Sequence, residues 1–178
     1  MLTEKVPTAC VSALSCGLAD LLLLRHGIAV ERNQGVDHPE RCLTPLGLER
    51  TFKVCCRLRD LGFISDRSYS SPYRRARETA ELAVKSGMAP KVELTSCLAP
   101  GGDPWPLVQR LQGSCLLVGH EPDLSRLAAL LMGARPSGLR LRKAGFCHLR
   151  WDSSHQDPRG LAQLQGLLRP GLLLPGCV

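Results

Sequence analysis

Aromatic side chains are scarce, at 4% of the chain. Any core must therefore be built from Leu, Val and Ala, and the 44% hydrophobic content is ample for one. That content excludes a disordered chain. The net charge of +7 favours anionic partners. Nucleic acid is not expected among them, because the most basic stretch, Arg135 to Lys143 (RPSGLRLRK), holds no aromatic residue to interleave with its charges. No run approaches the roughly 18 apolar residues of a membrane helix. At the N-terminus, the apolar stretch from Ala9 to Leu14 is broken by Ser12 and preceded by Glu4, which makes a poor signal peptide. The nine cysteines are odd in number and form no Cys-x-x-Cys pair, so neither a disulfide framework nor a zinc knuckle is indicated. Reduced thiols in a cytoplasmic protein are the expected reading. His26, His38 and His120 lack a His-x-x-x-His spacing, and neither a metal nor a cofactor is expected.

At 178 residues one domain is expected, over 18–178 with an apolar C-terminal docking tail, after a poorly ordered leader over 1–17. Nothing points to an obligate oligomer, and a monomer is expected. Asp20 to Leu24 and Cys115 to Val118 are short, wholly apolar runs that suit strands buried on both faces. Arg67 to Ser70 and the stretch around Val92 and Leu94 suit shorter strands. Phe146 to Trp151 alternates as an edge strand does. Thr44-Pro45 pairs an N-cap with a proline at the first helical position and predicts a helix to about Leu61. Ser71-Pro72 repeats that signal for a helix through Val84. Further helices are predicted up to Leu111 and after Pro122. Strands alternating with helices predict a three-layer α/β/α sandwich around a mostly parallel sheet.

Ligands of such sheets bind outside the carboxyl ends of the strands. His26 follows the first long strand and His120 the fourth. In Arg25-His26-Gly27, a neutral imidazole can attack phosphorus, and the guanidinium offers a planar fork for phosphate oxygens. Gly27 can allow a tight turn and a close approach to ligand. In Ser71-Pro72-Tyr73-Arg74-Arg75-Ala76, a helix start and a first-turn arginine favour an anion. In Gly119-His120-Glu121-Pro122, a strand-end histidine can point into the same cleft. Each segment alone is equally compatible with a structural role. Together they make a cationic pocket around a nucleophile.

Arg25-His26-Gly27, Ser71-Pro72-x-x-Arg75-Ala76 and Gly119-His120, in this order, resemble the histidine phosphatase superfamily over roughly Asp20 to Trp151. The short length, Arg41-x-Leu43-Thr44-x-x-Gly47 and the Pro-Gly-Gly-Asp103 loop are similar to its SixA-type phosphohistidine phosphatases. The resemblance implies a phosphoglycerate mutase-like fold and a metal-independent phosphatase. It implies that His26 is transiently phosphorylated while Arg25, Arg75 and His120 hold the phosphoryl oxygens. Arg41 is implied as a further phosphate contact, with Gly27 and Asp103 at the substrate. Many relatives carry a glutamate that protonates an alkoxide leaving group, where this chain reads Thr95-Ser96-Cys97-Leu98. An imidazole leaves phosphorus more easily than an alkoxide. A phosphohistidine on a partner protein, such as a phosphotransfer domain, is therefore the expected substrate, and a small phosphomonoester is the alternative.

Overall fold

The computed structural model describes residues 17–174, so all of the expected leader except Gly17 lies outside the described residues. Six strands form one sheet in the order β3-β2-β4-β1-β5-β6. They are β1 (Leu18–Arg25), β2 (Arg67–Ser70), β3 (Glu93–Leu94), β4 (Gly113–Gly119), β5 (Phe146–Asp152) and β6 (Gln163–Leu168). The first four in space are mutually parallel, and β5 runs antiparallel to both of its neighbours. The helices are α1 (Pro45–Asp60), α2 (Arg74–Lys85), α3 (Trp105–Val108), α4 (Asp123–Met132) and α5 (Pro170–Leu173).

The apolar runs of β1 and β4 alternate between two cores. Leu22, Leu24, Leu116 and Val118 pack on Val54, Cys55 and Leu58 of α1 and Ala76, Ala80 and Ala83 of α2. Leu21, Leu23, Cys115 and Leu117 face Leu124, Leu127, Ala128 and Leu131 of α4. Each such leucine contributes about 1.5–3 kcal/mol on burial, so β1 is anchored from both sides. The result is the three-layer α/β/α sandwich. The six described cysteines are free thiols, and burial pushes Cys55, Cys115 and Cys147 up to about 12.

β1 and β4 are adjacent and parallel, in a register that pairs Arg25 with Gly119. Beyond β1 the chain passes to α1 on one face, and beyond β4 to α4 on the other. The two chains part at the carboxyl edge and open a crevice there, as at other switch points of parallel sheets. β2 ends at the same level, with Ser70 opposite Val118. The residues after all three strands therefore meet.

Two expectations are corrected, the edge position of the Phe146 strand and the cap at Ser71. Phe146–Asp152 is an interior strand between β1 and β6, with four of its first residues buried in succession. The edge role falls to β6, built from the apolar C-terminal stretch read as a docking tail. α5 then seats Leu173 in the core beside α1 and α2. Ser71 does not cap α2, which starts at Arg74 after Tyr73. Its hydroxyl instead accepts from the Tyr73 N–H at 3.2 Å.

α1 begins as its sequence dictates. Thr44 Oγ1 accepts the Gly47 N–H at 3.0 Å, and Pro45 occupies the first turn. This turn is pressed against the segment after β1. A Cβ on Gly47 would lie 2.0 Å from the Ile28 carbonyl oxygen, an atom of the main chain that cannot swing away. Gly47→Ala is expected to destabilise the fold by about 1–3 kcal/mol, the usual cost of overpacking. Urea unfolding checks this, and an unchanged midpoint would contradict it.

Candidate active site

His26 is the first residue past β1 and is buried. Its backbone is fixed on two sides. Its N–H donates to the Gly119 carbonyl at 3.0 Å, and its carbonyl accepts from Ala144 at 3.1 Å. On the ring, Nδ1 lies 2.8 Å from the Gly27 carbonyl oxygen. A carbonyl can only accept, so Nδ1 carries the proton. Arg75 Nε, which can only donate, lies 3.3 Å from His26 Nε2. Both partners require the same tautomer, with the lone pair on Nε2. Burial, then the neighbouring His120, Arg75 and Arg25, push this imidazole down to about 2.

His120, one residue past β4, is also buried, with its ring centroid 5.1 Å from that of His26. Its Nε2 is 2.8 Å from Ser71 Oγ. The Ser71 hydroxyl, which accepts from Tyr73, can either donate to His120 Nε2 or accept from it. His120 Nδ1 is buried with no hydrogen-bond partner. Burial and then Arg75 push this ring down to about 3. Arg25 Nη1 donates to the Leu141 carbonyl at 2.9 Å, while its Nε is buried without a partner.

Arg75 is 2% exposed. A guanidinium buried so deeply requires a counter-charge. Asp37 supplies it, with Oδ2 2.9 Å from Arg75 Nη2. The same carboxylate bonds Arg41 Nη1 and lies 3.7 Å from Arg32. Burial alone would raise Asp37, but Arg75 and its companions hold it below the ordinary carboxylate value. Arg41 is braced further by two bonds to the Val30 carbonyl, at 3.0 and 2.6 Å.

Arg25, His26, Arg75, His120 and Arg41 thus line one cleft of about 750 Å³. Arg74 points elsewhere, into an ion pair with Glu78 at 2.9 Å. Two expected residues are placed differently. Asp103 is exposed, lines a neighbouring hollow, and accepts from the Trp105 N–H at 2.9 Å. Gly27 serves packing rather than ligand. A Cβ there would lie 2.2 Å from Thr51 Oγ1, and its N–H donates to Thr79 Oγ1 at 3.0 Å. Thr79 donates onward to the Arg75 carbonyl at 2.7 Å, which ties the turn after His26 to the first turn of α2. Sequence reasoning missed Asp37, which stood unremarkably in a polar loop. Its only signal is the four-residue spacing to Arg41, read in a segment that is not helical. Ser71 was noticed only as a cap.

The model of the histidine phosphatase superfamily (branch 1) matches residues 21–99. An uncharacterised protein of Picosynechococcus is 34% identical over 164 residues, spanning 88% of this chain and 99% of that one. The chain belongs to the histidine phosphatase superfamily. Its fold is similar to that of the protein histidine phosphatase SixA complexed with tungstate, at a TM-score of 0.74 and 22% identity over 87% of this chain and 99% of that one. It is also similar to the α-ribazole phosphatase of Shigella flexneri, at 0.65 and 18% over 85% and 96%.

The two depressed histidines set a pH dependence. Above pH 6.5 both rings are neutral whether the chain is folded or not, and stability is full. As the pH falls below 6.5 the unfolded chain takes up protons that the folded chain refuses until about 3 at His120 and about 2 at His26. Stability then declines by about 1.4 kcal/mol per pH unit for each ring. Ring-proton resonances followed by NMR from pH 8 to 5 are expected to show both rings staying neutral. A midpoint near the ordinary histidine value for either would contradict this.

Proposed function

We propose that the protein is a SixA-like phosphohistidine phosphatase that removes the phosphoryl group from a histidine-phosphorylated protein through a covalent intermediate on His26. The observation that carries this reading is the Nε2 lone pair of a neutral, buried imidazole, set beside two buried nitrogens without hydrogen-bond partners, Arg25 Nε and His120 Nδ1.

In the first step His26 Nε2 bonds to phosphorus as the substrate's N–P bond breaks. The substrate imidazole, protonated on its other nitrogen, leaves as a neutral ring. The phosphorylated His26 ring becomes cationic, and the Gly27 carbonyl accepts from its Nδ1–H. Arg75 Nε passes from the ring nitrogen to the phosphoryl oxygens, with Arg25 and His120 beside it. Fixed donors in a buried site stabilise the developing charge without having to reorganise. In the second step water adds to phosphorus and keeps both protons as dihydrogen phosphate, and His26 leaves neutral. Asp37 and Arg41 hold Arg75 in place.

The carboxylates of the cleft support an N–P substrate. Asp37 is engaged by arginines. Glu121 accepts from Ser125 Oγ and the Leu141 N–H. Asp123 accepts from the Gly101 N–H. Each of these three is held as an acceptor by donors of the protein. Glu31 lines the cleft at an exposed position. Among the described residues no cluster of three His, Cys, Asp or Glu is placed to hold a metal, and none of the steps calls for one. No described helix is long and apolar enough to cross a membrane. A cytoplasmic monomer is part of the proposal.

Steady-state kinetics are expected to give a higher kcat/KM for a histidine-phosphorylated phosphotransfer domain than for sugar phosphates or nucleotides. Activity is expected to be unchanged by chelator. His26→Ala is expected to lose about four orders of magnitude or more in kcat, as nucleophile removal does elsewhere. A preference for a small ester would contradict the substrate class, and full activity of His26→Ala would contradict the covalent route.

A further inference from the structure

Beside the catalytic cleft lies a second hollow of about 480 Å³, which shares Arg25 and Lys143 with it. The rest of its charged lining is Arg50, Arg140, Arg142 and Arg169, and no acidic or aromatic side chain contributes. Arg50 comes from α1, Arg140 to Lys143 from the loop before β5, and Arg169 from the turn before α5. Among the described residues none of these five cations forms an ion pair or a side-chain hydrogen bond, and Arg50 Nε is buried without a partner. By contrast, Arg41, Arg59, Arg74, Arg75, Arg150 and Arg159 are all paired with carboxylates.

The central loop of this hollow is fixed to the catalytic residues. Leu139 and Leu141 are buried, so Arg140 and Arg142 between and after them point outward. The Leu141 carbonyl accepts from Arg25 at 2.9 Å, and its N–H donates to Glu121 at 3.1 Å. The Ala144 N–H donates to the His26 carbonyl at 3.1 Å. A ligand held by Arg140 and Arg142 therefore stands in a set position relative to His26. Like charges kept together without counter-ions cost stability, and a site for an anionic partner gives them a use.

We propose that this groove binds an acidic segment of the phosphorylated protein, next to its phosphohistidine. The inference rests on the reading of His26 as the centre of a phosphoprotein phosphatase. A compact phosphate is already served by Arg25, Arg75 and His120 in the main cleft. Cations drawn from three separated chain segments along a second hollow match a run of carboxylates better than one more phosphate. The lack of any aromatic platform disfavours single-stranded nucleic acid.

The test uses the full chain and fluorescein-labelled decaglutamate, followed by fluorescence anisotropy with inorganic phosphate present to fill the catalytic cleft. The comparison variant is Arg140→Ser/Arg142→Ser/Arg169→Ser, in which all three positions are exposed and outside the catalytic set. Wild type is expected to bind, with affinity falling as salt rises, and the variant to bind at least about tenfold more weakly. The variant's kcat/KM on a histidine-phosphorylated phosphotransfer domain should fall by a similar factor, while that on para-nitrophenyl phosphate stays within about twofold of wild type. Equal decaglutamate binding by the two proteins, or tighter binding of an oligonucleotide of equal charge, would overturn the groove. Decaglutamate binding that the variant loses, in an enzyme that ignores phosphohistidine protein, would overturn the phosphoprotein reading and leave the groove's acidic ligand standing.

Discussion

The 2.8 Å bond from His26 Nδ1 to the carbonyl of Gly27 decides which nitrogen of the ring keeps its lone pair, and much of the surrounding structure holds it. The carbonyl is fixed because Gly27 is fixed. Its N–H is tied through Thr79 to the first turn of α2, and its Cα faces Thr51 of α1 too closely for any side chain. The ring is fixed because its backbone joins β4 on one side and the loop before β5 on the other. Both helices that pack on this face of the sheet therefore contribute to the tautomer. That requirement accounts for glycine at position 27 better than any approach of ligand to its backbone.

Electrostatics supply the second constraint. Two buried histidines lie beside Arg25 and Arg75, and the imidazoles respond by remaining neutral. Neutral His26 keeps its lone pair, and neutral His120 keeps one N–H to donate. The positive charge of the site rests on the arginines. Asp37 makes that arrangement tolerable by meeting Arg75 at full burial, while Arg41 and Arg32 meet Asp37 from the other side. The same cleft therefore suits an anion while leaving Nε2 of His26 unprotonated. The adjoining arginine groove extends the field outward, with Arg140, Arg142 and Arg169 exposed.

Strand-end positions were legible in the sequence because wholly apolar runs followed by a charged residue and a glycine mark buried parallel strands. That pattern put Arg25, His26 and His120 at strand ends and gave the sandwich itself, while Arg75 was read from the helix start after Ser71-Pro72 and from the family resemblance. Asp37 was not legible, since its importance comes from the burial of Arg75, which only tertiary packing creates. Ser71 misled because a serine before proline has the chemistry of a cap, yet its hydroxyl turns towards His120. Phe146 to Trp151 misled because alternation reports on the two faces of a strand and says nothing of hydrogen bonding along its edge, where β6 pairs with it. Asp103 was the next carboxylate in the chain after a missing glutamate, but the turn into α3 takes its oxygen and keeps it outside the cleft. Nearness in sequence carried no information about which cleft it would line.

The central claim is chemical and specific to one atom: phosphorus is carried on Nε2 of His26. Brief reaction with phosphohistidine protein, alkaline quench to preserve the acid-labile N–P bond, and assignment of the phosphorylated site and ring isomer by mass spectrometry and phosphorus NMR test it directly. The account predicts a phosphoryl group on His26 alone, in the isomer bonded through Nε2. Phosphorus on Nδ1, on His120, or on no residue while turnover proceeds would contradict it.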